Sequence, residues 1–108
     1  MGDLFRMLMM LVLVSLVSCV SAHERREAHI KSSPGISESH RALIRKGRIT
    51  HGMTWSDVEA SLGKPSRKNR SAYRSVTKDQ WVYRRGNGRS MYVYFEDGFV
   101  TSWQGPAE

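Results

Sequence analysis

The sequence predicts an α+β fold in which two short helices pack on a three- to four-stranded antiparallel sheet. Three observations lead there. A fully specified helix start stands at Thr54, the residues after Pro65 change from helical to alternating periodicity, and Gly86-Asn87-Gly88 and Asp97-Gly98 divide the alternating part into strands. The 108-residue chain carries 17 Lys and Arg against 10 Asp and Glu, a formal charge of +7, and a single cysteine, Cys19.

The first segment has the form of an export signal. Arg6 precedes an apolar run from Met7 to Val17, broken only by Ser15, and its length fits the region of about 7–15 residues such signals use. A spanning helix needs about 20 apolar residues, and no second apolar run follows. Met1-Gly2 does not make a myristoylation motif, because Arg6 stands where Ser or Thr is required. The run ends in Leu16-Val17-Ser18-Cys19. This tetrapeptide resembles a bacterial lipobox, in which the Cys sulfur takes a diacylglyceryl group and a signal peptidase cuts before the Cys, with small Ser18 admitting the backbone to the protease. An ordinary signal cut after Val20-Ser21-Ala22 fits the same segment.

The lipobox reading divides the chain into a signal over 1–18, a lipidated Cys and flexible tether over 19–39, and one domain over 40–108. It leaves 90 residues, enough for one domain with a thin core, and the charge stays at +7 because Asp3 and Arg6 leave together. With Cys19 acylated or removed no thiol remains for a disulfide, so packing alone stabilises the domain. Val20 to Ser39 reads as the tether: His23-Glu24-Arg25-Arg26-Glu27 is charged, Ser32-Ser33-Pro34-Gly35 is linker-like, and Ile30 and Ile36 are its only large aliphatics after Val20. A helical turn or two over His23 to Ile30 is the alternative, with nothing to cap it and no apolar face to support it.

The first regular element runs from about Ser39 to Lys46. His40, Leu43 and Ile44 fall at helical spacing, Arg45 and Lys46 suit the last turn, and Gly47 ends it. The second helix, Thr54 to Leu62, is better specified. Thr54 and Asp57 form the [ST]-x-x-[DE] capping box, Met53 stands where it can staple onto Val58, and Trp55, Val58 and Leu62 make an apolar stripe. Gly63 follows as a left-handed cap, and Pro65 forbids continuation.

The strands follow. Gln80 to Arg84 is rich in strand formers, and Ser90 to Phe95 alternates Met91, Val93 and Phe95 against Tyr92 and Tyr94. Asp97-Gly98 suits a type I′ turn, and Phe99, Thr101 and Trp103 alternate beyond it. Arg67 to Val76 reads either as a leading edge strand or as a loop. The three tryptophans, Trp55, Trp81 and Trp103, lie on apolar stripes and are expected in the core.

Ile49 to Val58 (Ile-Thr-His-Gly-Met-Thr-Trp-Ser-Asp-Val), Leu62-Gly63-Lys64-Pro65, Gln80 to Tyr83 and Tyr92 to Val100 together resemble the SmpA/OmlA (BamE-like) family, over roughly Ile49 to Trp103. The resemblance implies a fold like the β-lactamase inhibitory protein. It also implies a lipoprotein on the periplasmic face of the outer membrane, in the best-known case an accessory of the β-barrel assembly machinery. Val20 in place of Asp after the modified Cys agrees with outer-membrane sorting in such lipoproteins.

The candidate working surface is basic. Arg67, Lys68 and Arg70 precede the sheet, together with Lys64 and Arg74, while Arg84, Arg85 and Arg89 flank its first hairpin. Brought together beside Tyr92 or Tyr94, they suit phosphate headgroups or an acidic partner. A solvated basic face without special purpose fits the same residues. Enzymatic inventories are lacking: His23, His29, His40 and His51 show no metal-ligand spacing, and Gly63-Lys64-Pro65-Ser66 lacks the first glycine of a P-loop, Val58 standing there. The expectation is a non-enzymatic outer-membrane lipoprotein without cofactor or nucleic-acid partner. It would serve as a scaffold or accessory in envelope assembly, held to phospholipid by its anchor and contacting the assembly machinery or another envelope protein. A soluble periplasmic or secreted binding or inhibitor module is the alternative, and a small envelope hydrolase with a Ser-His-Asp site assembled at long range is a third class, against which 90 residues with a thin core count.

Overall fold

Three helices, Ala22–Ser32 (α1), Glu38–Arg45 (α2) and Trp55–Leu62 (α3), precede four strands, Arg67–Tyr73 (β1), Val76–Arg84 (β2), Ser90–Glu96 (β3) and Phe99–Gln104 (β4). The computed structural model describes residues 21–86 and 88–105; the signal and lipobox readings, and Asn87 of the first turn motif, fall outside them. The sheet is antiparallel throughout, in the order β1-β2-β3-β4. The predicted class is the observed one, with the Arg67–Tyr73 stretch resolved as a strand and one helix more than expected.

The additional helix is α1, where the sequence suggested a tether. Ser21 caps it by accepting from the Glu24 N–H at 3.2 Å. Only Ile30 of its residues is buried, so apolar patterning could not announce it. Its docking is polar instead: Arg25 Nε donates to Ala60 O at 3.0 Å, and Arg26 donates to Ser61 O through Nε at 3.1 Å and Nη2 at 2.9 Å. These carbonyls belong to the last turn of α3, which lacks intrahelical partners for them and has no basic residue of its own there. Two arginines remote in sequence thus satisfy and electrostatically complement that helix end.

Helix α2 begins on Ser37, whose hydroxyl accepts from the His40 N–H, and ends before Lys46. Helix α3 starts as read: Thr54 accepts from the Asp57 N–H at 3.2 Å and the Asp57 carboxylate accepts from the Thr54 N–H at 3.1 Å. Its C-terminal glycine differs in detail from a left-handed cap. Gly63 has φ 86° and ψ −170°, a region open essentially to glycine alone.

Ile44, Met53, Val58, Trp81, Tyr83, Met91, Val93, Phe95 and Val100 form the core between the helices and one sheet face. Strand β3 alternates as predicted, with Met91, Val93 and Phe95 buried. Strand β4 does not keep the predicted alternation of Phe99, Thr101 and Trp103. Register slips between Tyr94 and Phe95, so that Phe95 faces Val100 while Tyr94 faces Ser102. The extra residue reverses the parity: Val100 is buried, Trp103 is partly buried against the core, and Phe99 is exposed. At the β3–β4 turn Asp97 and Gly98 both take positive φ, 50° and 88°, as a type I′ turn requires. The β1–β2 turn has the same character on unexpected residues, Arg74 at 48° and Ser75 at 68°.

The Tyr83 phenol joins the layers, donating to Gly63 O at 2.9 Å. Burial pushes its ionisation well above the usual phenol range, Glu59 adding to the effect and Arg25 and Arg85 opposing it. The neutral phenol is therefore the native form. Stability from this group is complete below the unfolded-state value of about 10, and it is lost as pH climbs from there through the native value, because the unfolded chain releases the proton first. Urea midpoints compared at about pH 8 and about pH 11 should fall more steeply for the parent than for Tyr83→Phe, which itself costs about 1 kcal/mol through the lost hydrogen bond.

Candidate functional site

The basic residues singled out in the sequence do not form one patch; the sheet divides them between its faces. Arg67 pairs with Val82, Val82 with Tyr92, and Tyr92 with Gln104, a row on the face the helices leave open. Arg84 lies on that face two residues beyond Val82. Lys68 pairs with Trp81 and Arg70 with Asp79, on the helix-covered side. Arg85 is on that side too, its Nη2 3.5 Å from Met91 Sδ, and its backbone N–H donates to Arg89 O at the base of the hairpin. Tyr92 and Tyr94 accordingly accompany Arg67 and Arg84, not Lys68 and Arg70.

The helix-side cations hold defined positions. Lys68 Nζ lies 4.5 Å from the Trp81 ring centroid, and the Arg70 guanidinium carbon lies 5.2 Å from that of Trp55. Arg70 Nε also donates to Asp79 Oδ1 at 2.8 Å. Asp79 is 5% exposed and its second oxygen is buried with no hydrogen-bond partner among the described residues. Trp55, Glu59, Lys68, Arg70, Asp79 and Trp81 line a groove of about 250 Å³ between α3 and the edge of the sheet. Trp55, expected in the core, is 36% exposed on its rim, while Trp81 is buried on its floor. The aromatic stripe of α3 rotates outward because Val58, Ala60 and Ser61 take the buried face of this short helix.

A second hollow, about 500 Å³ and open, is lined by His29, Ile36, His40, Thr54 and Asp57 among others. His29 Nε2 meets Asp57 Oδ1 at 2.7 Å. This pair resembles part of a catalytic triad, and neither the His-Asp contact nor the hollow was visible in the sequence, since α1 was read as tether. Asp57 uses Oδ2 on the Thr54 N–H and Oδ1 on His29, so the carboxylate ties α1 to the capping box of α3. Among the described residues no group of three or more His, Cys, Asp or Glu side chains could hold a metal ion, and no helix is long and apolar enough to cross a membrane.

No family model, curated protein or solved structure matches the chain. Its surfaces must be interpreted from their own chemistry. They offer a positively charged edge strand over two tryptophans, an open sheet face with half-buried tyrosines, and a basic pole. At that pole the Arg25 guanidinium lies beside Gly63, Arg26 lies against Gly47, Ser61 Oγ donates to Arg48 O at 2.7 Å, and Tyr83 reaches Gly63. The loops carrying Lys46, Arg48 and Lys64 therefore adjoin the first turns of α1.

Proposed function

We propose that the chain is a small outer-membrane lipoprotein, anchored on the periplasmic face through acylated Cys19. Its α+β domain serves as a non-enzymatic scaffold or accessory in envelope or outer-membrane protein assembly. The observation that carries the anchored reading is the cap of α1. Ser21 accepts from the Glu24 N–H, and its carbonyl accepts from the Arg25 N–H at 3.0 Å. Cleavage before Cys19 keeps this residue. Cleavage after Ala22 would remove it and leave a new ammonium group at the positive end of the helix, an unfavourable placement. The resemblance to the SmpA/OmlA family supports the compartment and the class of role.

Because Cys19 stands two positions before the cap, an anchored domain meets the bilayer close to its basic pole. Each Lys or Arg held near an anionic surface contributes about 1 kcal/mol, so a lipid anchor and this pole act together on phospholipid. The protein contact then falls to the barrel-assembly machinery or another envelope protein, with no role for nucleic acid or a cofactor. Cell fractionation with intact mass measurement tests the reading. A product beginning at Cys19 with acyl chains, in the outer-membrane fraction and lost in Cys19→Ser, is the expected result. An unmodified product beginning at His23 in the soluble fraction would overturn it in favour of a free binding or inhibitor module.

A further inference from the structure

The two edges of the sheet are treated differently. Beyond β4, the segment around Met53 adds its own backbone: Gly52 N–H donates to Val100 O and Val100 N–H to Met53 O, each at 2.9 Å, and Thr54 bridges to Phe99. Beyond β1 no described residue pairs, and all seven of its residues are exposed.

The ladder shows which groups face outward. Asp97 N–H donates to Thr77 O and Arg85 N–H to Arg89 O, each at 2.8 Å, so the odd-numbered residues of β2 turn their backbone groups toward β3. Backbone groups alternate between the two sides of a strand, and the even-numbered residues therefore turn toward β1; the Arg84 N–H, bonded to Ser66 Oγ, agrees. Their partners Arg67, Asn69 and Ser71 point inward. Lys68, Arg70 and Ala72 present N–H and C=O at the free edge.

We infer that β1 is a docking edge for an acidic extended segment of a partner protein, which adds to the sheet as a fifth antiparallel strand. A strand paired there places the residues opposite Lys68 and Arg70 on the helix side, beside both cations and over the groove between Trp55 and Trp81. Carboxylates at those two alternate positions meet Lys68 and Arg70, the intervening residue lies opposite Asn69 on the open face, and Arg67 flanks the pair on that same face. The two cations are already steered by the tryptophan faces and, for Arg70, by Asp79, which lowers the ordering cost on binding. Charge also selects against the other occupants: a second copy pairing β1 to β1 sets Lys68 and Arg70 against like charges. Main-chain hydrogen bonds supply the affinity and the alternate side chains the selectivity.

The inference rests on the protein-contact part of the reading above and is independent of the anchor, so the assay contains no membrane. The purified full-length chain in neutral detergent, ¹⁵N-labelled, is titrated with the capped peptides Thr-Glu-Val-Glu-Val-Thr and Thr-Lys-Val-Lys-Val-Thr. The glutamate peptide is expected to shift the Lys68, Arg70 and Ala72 amides and slow their exchange, with weakening at high salt, while the lysine peptide leaves them unmoved. Ala72→Pro, which removes an outward N–H and leaves the β1–β2 ladder intact, should abolish binding. Lys68→Glu, which preserves the Arg70–Asp79 pair, should weaken the glutamate peptide about tenfold. Equal binding of both peptides, shifts confined to Tyr92 and Tyr94 on the open face, a salt-resistant dimer using β1, or unaltered binding by Lys68→Glu would each overturn the inference. Failure here leaves the fractionation result standing, and failure of the anchor leaves this one.

Discussion

Phe95→Ala is expected to cost about 3–5 kcal/mol, the range for truncating a buried aromatic to alanine. The ring is 1% exposed, and it meets Trp81 at a centroid distance of 4.8 Å and an interplanar angle of 50°, a tilted geometry that adds to simple area burial. In the sheet it stands between Asp79 on β2 and Val100 on β4, at the bulge where β4 changes parity. A domain of this size has a total stability of order 0.05–0.15 kcal/mol per residue, so the variant stands near the threshold of folding. Melting followed by circular dichroism should show a fall of more than about 10 °C, since each kcal/mol moves Tm by about 4–8 °C in small domains. Phe95→Leu, which keeps most of the volume, should cost less than half as much. A melting temperature within about 3 °C of the parent for the alanine variant would refute the placement of this ring at the core's centre.

Loss of both arginines of α1, Arg25→Ala with Arg26→Ala, is the second large effect. Three donors leave two carbonyls of the α3 terminus, Ala60 O and Ser61 O, and hydrogen bonds from charged donors contribute about 1.5–3 kcal/mol each. Partial solvent access at this end and the freedom of water to replace the donors reduce the sum, so about 2–4 kcal/mol is expected for the pair. The loss falls on one element. Hydrogen exchange should show α1 and the last turn of α3 opening much more readily while β2 and β3 keep their protection. Gly47→Ala approaches the same site from the other side, because a Cβ there collides with the Arg26 guanidinium and φ is 70°. Unchanged exchange in α1 after loss of both arginines would mean that Ile30 and the His29–Asp57 contact hold it without them.

These two variants mark the divide between what was legible in the residues and what was not. Phe95 and its alternating neighbours, the Thr54–Asp57 capping box and the Asp97-Gly98 turn rest on interactions between residues a few positions apart. Their physical signal is local, and the structure reproduces it. The edge strand β1 was ambiguous because its seven residues are all exposed and carry no apolar alternation. Its turn added no help, since Arg74 and Ser75 occupy positive φ without glycine or asparagine. Helix α1 was misread for a related reason: it is held by guanidinium groups reaching carbonyls 35 positions away, a contact no periodicity encodes.

The surface was legible in composition and not in arrangement. That Arg67, Lys68, Arg70, Arg84, Arg85 and Arg89 are numerous and close in sequence follows from the residues. Strand register then sends Arg67 and Arg84 to one face and Lys68, Arg70 and Arg85 to the other. The pairing of His29 with Asp57, the exposure of Trp55 and the seating of Lys68 and Arg70 over tryptophan rings belong to the same class of facts.

The sequence by itself determined the α+β class, the start and stop of α3, the hairpin before β4, the excess of positive charge and the lone cysteine behind an apolar run, because each depends on neighbours along the chain. Tertiary structure alone decided that α1 is a docked helix, that β4 changes parity at a bulge, and which cations share a face. Those outcomes depend on carbonyls, rings and carboxylates supplied by distant elements, whose approach is fixed only when the layers close.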